Sequence, residues 1–189
     1  MDRTTKNETL LAVLRVAASF ALLVLIVTFV GWTLRDELTR FGAWFVARFG
    51  FVGMAAGAFA ADCIHFPIPP QFYLLTGIAG GHPVTIVLPA VLLGSELGGL
   101  TAFALARALG RAPSVARRLA STRQLLTRAI DRQGYVGLAA ATLLPISFSI
   151  LCMATGAMRL PYRAFGVLAV MRVPRILLSY AVIVVAWPG

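Results

Sequence analysis

Four ionisable side chains lie in stretches that are otherwise apolar: Asp62 in "AADCIHFPIPP", Glu96 in "GSELGG", and Arg172 with Arg175 in "MRVPRI". Arg159 and Arg163 stand at the edge of another such stretch. A bare charge in hydrocarbon costs at least about 2.5 to 3.5 kcal/mol on insertion scales, so such groups are expected to face one another or a wet cavity. Carboxylates placed there can balance charge or carry protons, and guanidinium groups can grip a phosphate, whose oxygens they meet bidentately. Structural roles compete with these. Glu96 can tie helices together through Arg172 or Arg175, and an arginine beside a broken helix can cap carbonyls left without partners. Covalent chemistry is not expected, because no nucleophile stands with an activating base and His65 with Asp62 is too small a set.

The need for such pairing follows from composition. Of 189 residues, 59% are apolar and 13% charged, against about 25% charged in soluble domains. We expect an integral membrane protein with a single membrane domain. The net charge of +10 comes from sixteen arginines and one lysine against seven acids. Those arginines gather at segment ends and in one central block, which suits anionic lipid headgroups and a fixed topology rather than a groove for nucleic acid. Cys63, Cys152, His65 and His82 show no metal-ligand spacing, so neither metal nor cofactor is expected.

The elements that must position the charges can be taken in order. A polar tail covers residues 1–10, and residues 11–32 are long and apolar enough for a spanning helix, with Arg15 near enough to its start to snorkel. Residues 34–49 place Leu34, Leu38, Phe41 and Phe45 on one face and predict an interfacial amphipathic helix. After Gly50 the chain has two short apolar limbs separated by Pro67, Pro69 and Pro70. Prolines lack N–H groups and force extended backbone on their predecessors, which leaves carbonyls bare. Such backbone persists at membrane depth only against protein or a water-filled cavity. The limbs therefore predict a re-entrant hairpin, in competition with a kinked spanning helix or a turn outside the membrane. A second spanning helix follows over 84–106, and the arginine-rich stretch 107–132 predicts a cytoplasmic surface helix begun by Ser114.

The sequence then repeats itself. "RFGFVGMAAGA" from Arg48 is echoed by "RQGYVGLAAAT" from Arg132, and "LLTGIAGGHP" is echoed by "CMATGAMRLP" ending at Pro161. Pro145 breaks the second copy where the three prolines break the first. The expected organisation is repeat one over about 34–106, the basic linker 107–132, and repeat two over about 133–187. With the linker in the cytoplasm, the two hairpins enter from opposite faces, so the expected fold is an all-α membrane protein built as an inverted repeat of two re-entrant hairpins with flanking helices.

Three blocks, "FGFVGMAAGAFAADCIHFPIPPQFYLLTGIAG", "GSELGGLTAFALARALGR" and "GYVGLAAATLLPISFSILCMATGAMRLPYRAFGVLAVMRVPRILLSY", resemble the DedA membrane proteins, also described as the SNARE-associated or VTT-domain family. The resemblance covers roughly residues 40–185. It implies two opposed re-entrant hairpins and a role in lipid movement, such as undecaprenyl phosphate recycling in bacteria or lipid scrambling in eukaryotes, with proton coupling proposed for bacterial members. By position, Asp62 resembles the family's acid at the first hairpin, Pro67 and Pro69 the prolines after it, and Pro145 the proline of the second hairpin. Many relatives carry arginines on both sides of that last proline, where this chain has Thr142 and Phe148. Arg159, Arg172 or Arg175 must then supply the charge.

The leading expectation is a multi-pass carrier or flippase of the bacterial inner membrane for an anionic lipid phosphate. Its partners would be membrane phospholipids or a polyprenyl phosphate, and protons if transport is coupled through Asp62 and Glu96. Two other classes compete: a scaffold protein without transport, and a membrane-embedded enzyme acting on lipid phosphates. The glycine and alanine surfaces suit packing within one chain or in a homodimer.

Overall fold

The computed structural model describes residues 35–65, 68–109, 119–142 and 146–186, with Phe29, Thr33 and Arg117. The tail 1–10, the helix expected over 11–32 apart from Phe29, the expected cap Ser114 and the prolines Pro67 and Pro145 lie outside the described residues. Among the described residues the regular elements are all helices: α1 (Arg35–Cys63), α2 (Pro70–Ala79), α3 (Val84–Leu109), α4 (Ala120–Ala141), α5 (Phe148–Ala157) and α6 (Tyr162–Ala186). Three stretches, Thr39–Cys63, Val84–Leu109 and Tyr162–Val184, are long and apolar enough to cross a membrane.

The two echoed sequences fold alike, element by element. Each begins with a helix bent at a glycine, Gly50 (φ 62°, ψ −168°) in α1 and Gly134 (φ 59°, ψ −136°) in α4. The break at Gly50 separates residues 35–49 from the limb that follows, at the boundary where the helix expected over 34–49 ends. Each bent helix is followed by a ten-residue helix entered from an extended residue, Pro69 before α2 and Ser147 before α5. Pro70 occupies the first position of α2, where the N–H it lacks has no intrahelical partner in any case.

Both short helices close in the same way. The N–H of Gly81 donates to the Ile78 carbonyl at 2.9 Å and that of His82 to Gly77 at 3.2 Å. In the second copy Arg159 donates to Gly156 at 2.8 Å and Leu160 to Thr155 at 3.2 Å. The left-handed residue that permits this is Gly81 (φ 75°) in one copy and Arg159 (φ 57°) in the other. Pro83 and Pro161 then lead into the long helices α3 and α6.

Glycines bring the helices together. Gly94 and Gly98 of α3 lie against the backbone of Ala55 and Phe59 in α1, and Gly156 of α5 lies against the Phe103 carbonyl of α3. A Cβ at any of the three would overlap those atoms, so backbone contact here requires glycine. Two apolar cores result. One joins Met54, Ala58, Leu74 and Val91 to Ile176 and Ile183; the other joins Phe103 to Leu138, Leu151 and Leu168. Helices α3 and α6 contribute to both, one half in each. Large apolar side chains also point outward, among them Val52 (81% exposed), Leu93, Val136 and Val170. Such a surface is a liability in water and the ordinary boundary of a protein in lipid.

Candidate functional site

The polar centre is built where four helices meet. Asp62 is the penultimate residue of α1, Ser95 lies midway along α3, Arg172 lies on α6, and Phe148 opens α5. All four are at least nine-tenths buried. Arg172 Nη2 donates to Asp62 Oδ2 at 2.9 Å and Arg172 Nε donates to Ser95 Oγ at 3.0 Å. The Ser95 hydroxyl in turn donates to Asp62 Oδ2 at 2.5 Å, which closes a ring of three hydrogen bonds. The Arg172 guanidinium carbon lies 4.6 Å from the centre of the Phe148 ring, so the cation is held between a carboxylate and an aromatic face.

The flanking glycines make this ring geometrically accessible. With Gly94 and Gly98 on the α1 backbone, Ser95 comes within reach of the end of α1. Gly94 and Arg172 also occupy the same register: each is the eleventh residue of its long helix. Where the first repeat closes backbone on backbone, the second sends an arginine across to Asp62. The ion pair therefore joins the two repeats, with its acid and hydroxyl from one and its cation and aromatic face from the other.

The other anticipated residues have separate places. Arg175 Nη1 donates to the carbonyls of Ile146 at 2.9 Å and Thr142 at 3.4 Å, on the segment between α4 and α5. Both oxygens of Glu96 are shielded from solvent and have no hydrogen-bond partner among the described residues, as is true of the Ser149 hydroxyl. Glu96 thus makes no hydrogen-bonded tie to Arg172 or Arg175. Arg159 is exposed at the left-handed end of α5 and Arg163 is exposed in the first turn of α6, both apart from the buried ring. Pro69 and Pro70 shape the entry to α2. The two turns touch: Ser147 Oγ and His65 Nδ1 lie 3.4 Å apart.

Sequence reasoning did not single out Ser95, whose signal was its place beside Glu96 between glycines. It named Phe148 only as a departure from the arginine expected after Pro145, not as a partner of the buried cation. Arg107 was assigned only to the basic linker, yet it donates to the Leu160 carbonyl at 2.6 Å and lies over the Tyr162 ring, tying the end of α3 to the start of α6. Among the described residues no three His, Cys, Asp or Glu side chains gather as a metal site.

Chemically, the ring is a charge pair whose cation is bound by a carboxylate and a hydroxyl. A family model described as the VTT domain matches residues 66–185, a span that takes in Ser95, Glu96, Arg172 and Arg175 and begins four residues after Asp62. No curated protein and no solved structure matches the chain.

Proposed function

The chain belongs to the VTT-domain family, the DedA and SNARE-associated membrane proteins, and on that premise we propose that it is a carrier for an anionic lipid phosphate in the bacterial inner membrane. The headgroup passes through a polar crevice between the two repeats while the acyl or prenyl tails stay in the bilayer. Undecaprenyl phosphate, which the family resemblance suggests, is one such lipid. The observation that carries this reading is the buried Asp62–Ser95–Arg172 ring, a cation with anion-binding geometry held at the seam between the repeats.

Backbone geometry supports the hairpin part of the proposal. The limb Phe51–Cys63 rises about 20 Å and α2 about 15 Å, each short of a hydrocarbon layer of roughly 30 Å. Two such limbs dip into the membrane and return to the same face. The arginines at 117, 123, 128 and 132 keep the part of α4 before Gly134 on the cytoplasmic side. Hairpin one then enters from outside and hairpin two from inside, so the polar seam is reached from both faces in turn.

Arg172 binds the phosphate, Asp62 and Glu96 balance the charge of Arg172 or carry protons, and no covalent step is needed. Coupling to a proton gradient is a separate element of the proposal, and transport indifferent to an imposed pH gradient would remove it. The deciding experiment is reconstitution in liposomes with a panel of labelled lipids. A carrier moves lipid phosphates in preference to phosphatidylcholine; a scaffold moves neither; an enzyme releases a chemically altered lipid.

A further inference from the structure

Resting on the carrier reading, we infer that the two arginines of α6 divide the work: Arg172 is the exchangeable anion contact, and Arg175 is a positioning residue that holds the second turn whether or not a headgroup is bound. The chemistry of their partners separates them. Arg172 is bound by a carboxylate and a hydroxyl. A phosphate monoester offers acceptors of the same kind with more charge, so it can take the place of Asp62 without leaving the guanidinium unpaired. Asp62 keeps the Ser95 hydroxyl as a donor through the exchange. The Phe148 ring keeps the guanidinium plane in position.

Arg175 faces a different constraint. Its acceptors are the carbonyls of Thr142 and Ile146, which stand outside both α4 and α5. Withdrawing the guanidinium to a phosphate would bare those carbonyls at membrane depth, where no bulk water replaces the bonds. Asp62 then acts as an internal stand-in for the substrate anion, occupying Arg172 until a headgroup competes for it. The contact between His65 and Ser147 reports on the position of the turn that Arg175 holds.

The test uses the full chain reconstituted in phosphatidylcholine vesicles, with short-chain phosphatidic acid as the binding probe. In parallel, His65→Cys and Ser147→Cys are joined by a short thiol cross-linker in a Cys63→Ala, Cys152→Ala background. Arg172→Gln weakens probe binding by at least about tenfold and leaves cross-linking at the parent yield. Arg172→Lys does not restore binding, because an ammonium lacks the planar fork. Asp62→Asn tightens binding severalfold by removing the competing anion. Arg175→Gln lowers cross-linking severalfold, and Arg175→Lys restores most of it, since an ammonium also donates to carbonyls.

The assignment is overturned if Arg175→Gln weakens binding as much as Arg172→Gln with cross-linking unchanged, or if Asp62→Asn abolishes binding. A parent protein that binds phosphatidic acid no better than phosphatidylcholine defeats the carrier reading and the role of Arg172 with it. The cross-linking arm still decides separately whether Arg175 positions the turn.

Discussion

At the scale of single residues, the account turns on Asp62 and Arg172. Removing one member of a buried ion pair leaves the other uncompensated, so Asp62→Asn or Arg172→Gln should each destabilise the fold by about 3 to 5 kcal/mol. The double variant Asp62→Asn/Arg172→Gln should lose clearly less than the sum, because neither side then carries a stranded charge. Unfolding in detergent by denaturant measures both, and additive losses would mean that the two groups do not act as a pair. Ser95→Ala should cost about 1 to 3 kcal/mol, the range for stranding a buried partner. That these charges must be paired was legible from the sequence, since an apolar chain cannot leave them bare. Which acid meets which arginine was not. Asp62 and Arg172 are 110 positions apart, and only the glycine contact of α3 with α1 places Ser95 between them. Glu96, as near the middle of its helix as the sequence suggested, has no side-chain hydrogen bond among the described residues.

At the scale of elements, the glycines at 50 and 134 set the bend with which each repeat begins. Their backbone combines positive φ with extended ψ, a region held almost only by glycine. Among the described residues no neighbouring atom lies within 4 Å of where a Cβ would stand, so the cost of Gly50→Ala or Gly134→Ala is taken as conformational. We expect about 1 to 3 kcal/mol from each, read as a lower unfolding midpoint in detergent; an unchanged midpoint in both would show that the bends are not required. Gly94→Leu acts by another route, pushing α1 off α3 and separating Ser95 from Asp62. The repeat could be seen in "RFGFVG" and "RQGYVG", and the change from polar to apolar pattern at each glycine placed an element boundary there; the left-handed backbone that makes the bend could not be read from the pattern. The matched ends of α2 and α5 were hidden for a different reason: an arginine at 159 does the job of a glycine at 81.

At the scale of the whole molecule, the proposed topology rests on charge placement. With the basic stretch before Gly134 in the cytoplasm, the proposal predicts Thr85 near the start of α3 on the outer side and Arg163 near the start of α6 on the inner side. In a Cys63→Ala, Cys152→Ala background, an impermeant maleimide added to intact cells should label Thr85→Cys, and should reach Arg163→Cys only after the membrane is opened. Labelling of both from one side would show that the repeats run in the same sense and remove alternating access. Across the molecule, composition carried the all-helical membrane class, because it is a summed property that survives ignorance of contacts. The site depended on a few close approaches, which no sum reveals.

The central claim is that a lipid headgroup crosses at the seam held by Arg172. Its most direct measurement is headgroup translocation of a labelled lipid phosphate in proteoliposomes, comparing the parent chain with a folded Arg172→Gln variant at equal protein density. The account predicts movement well above protein-free vesicles for the parent and near that background for the variant. Equal movement by both, or none by the parent above empty vesicles, would contradict it.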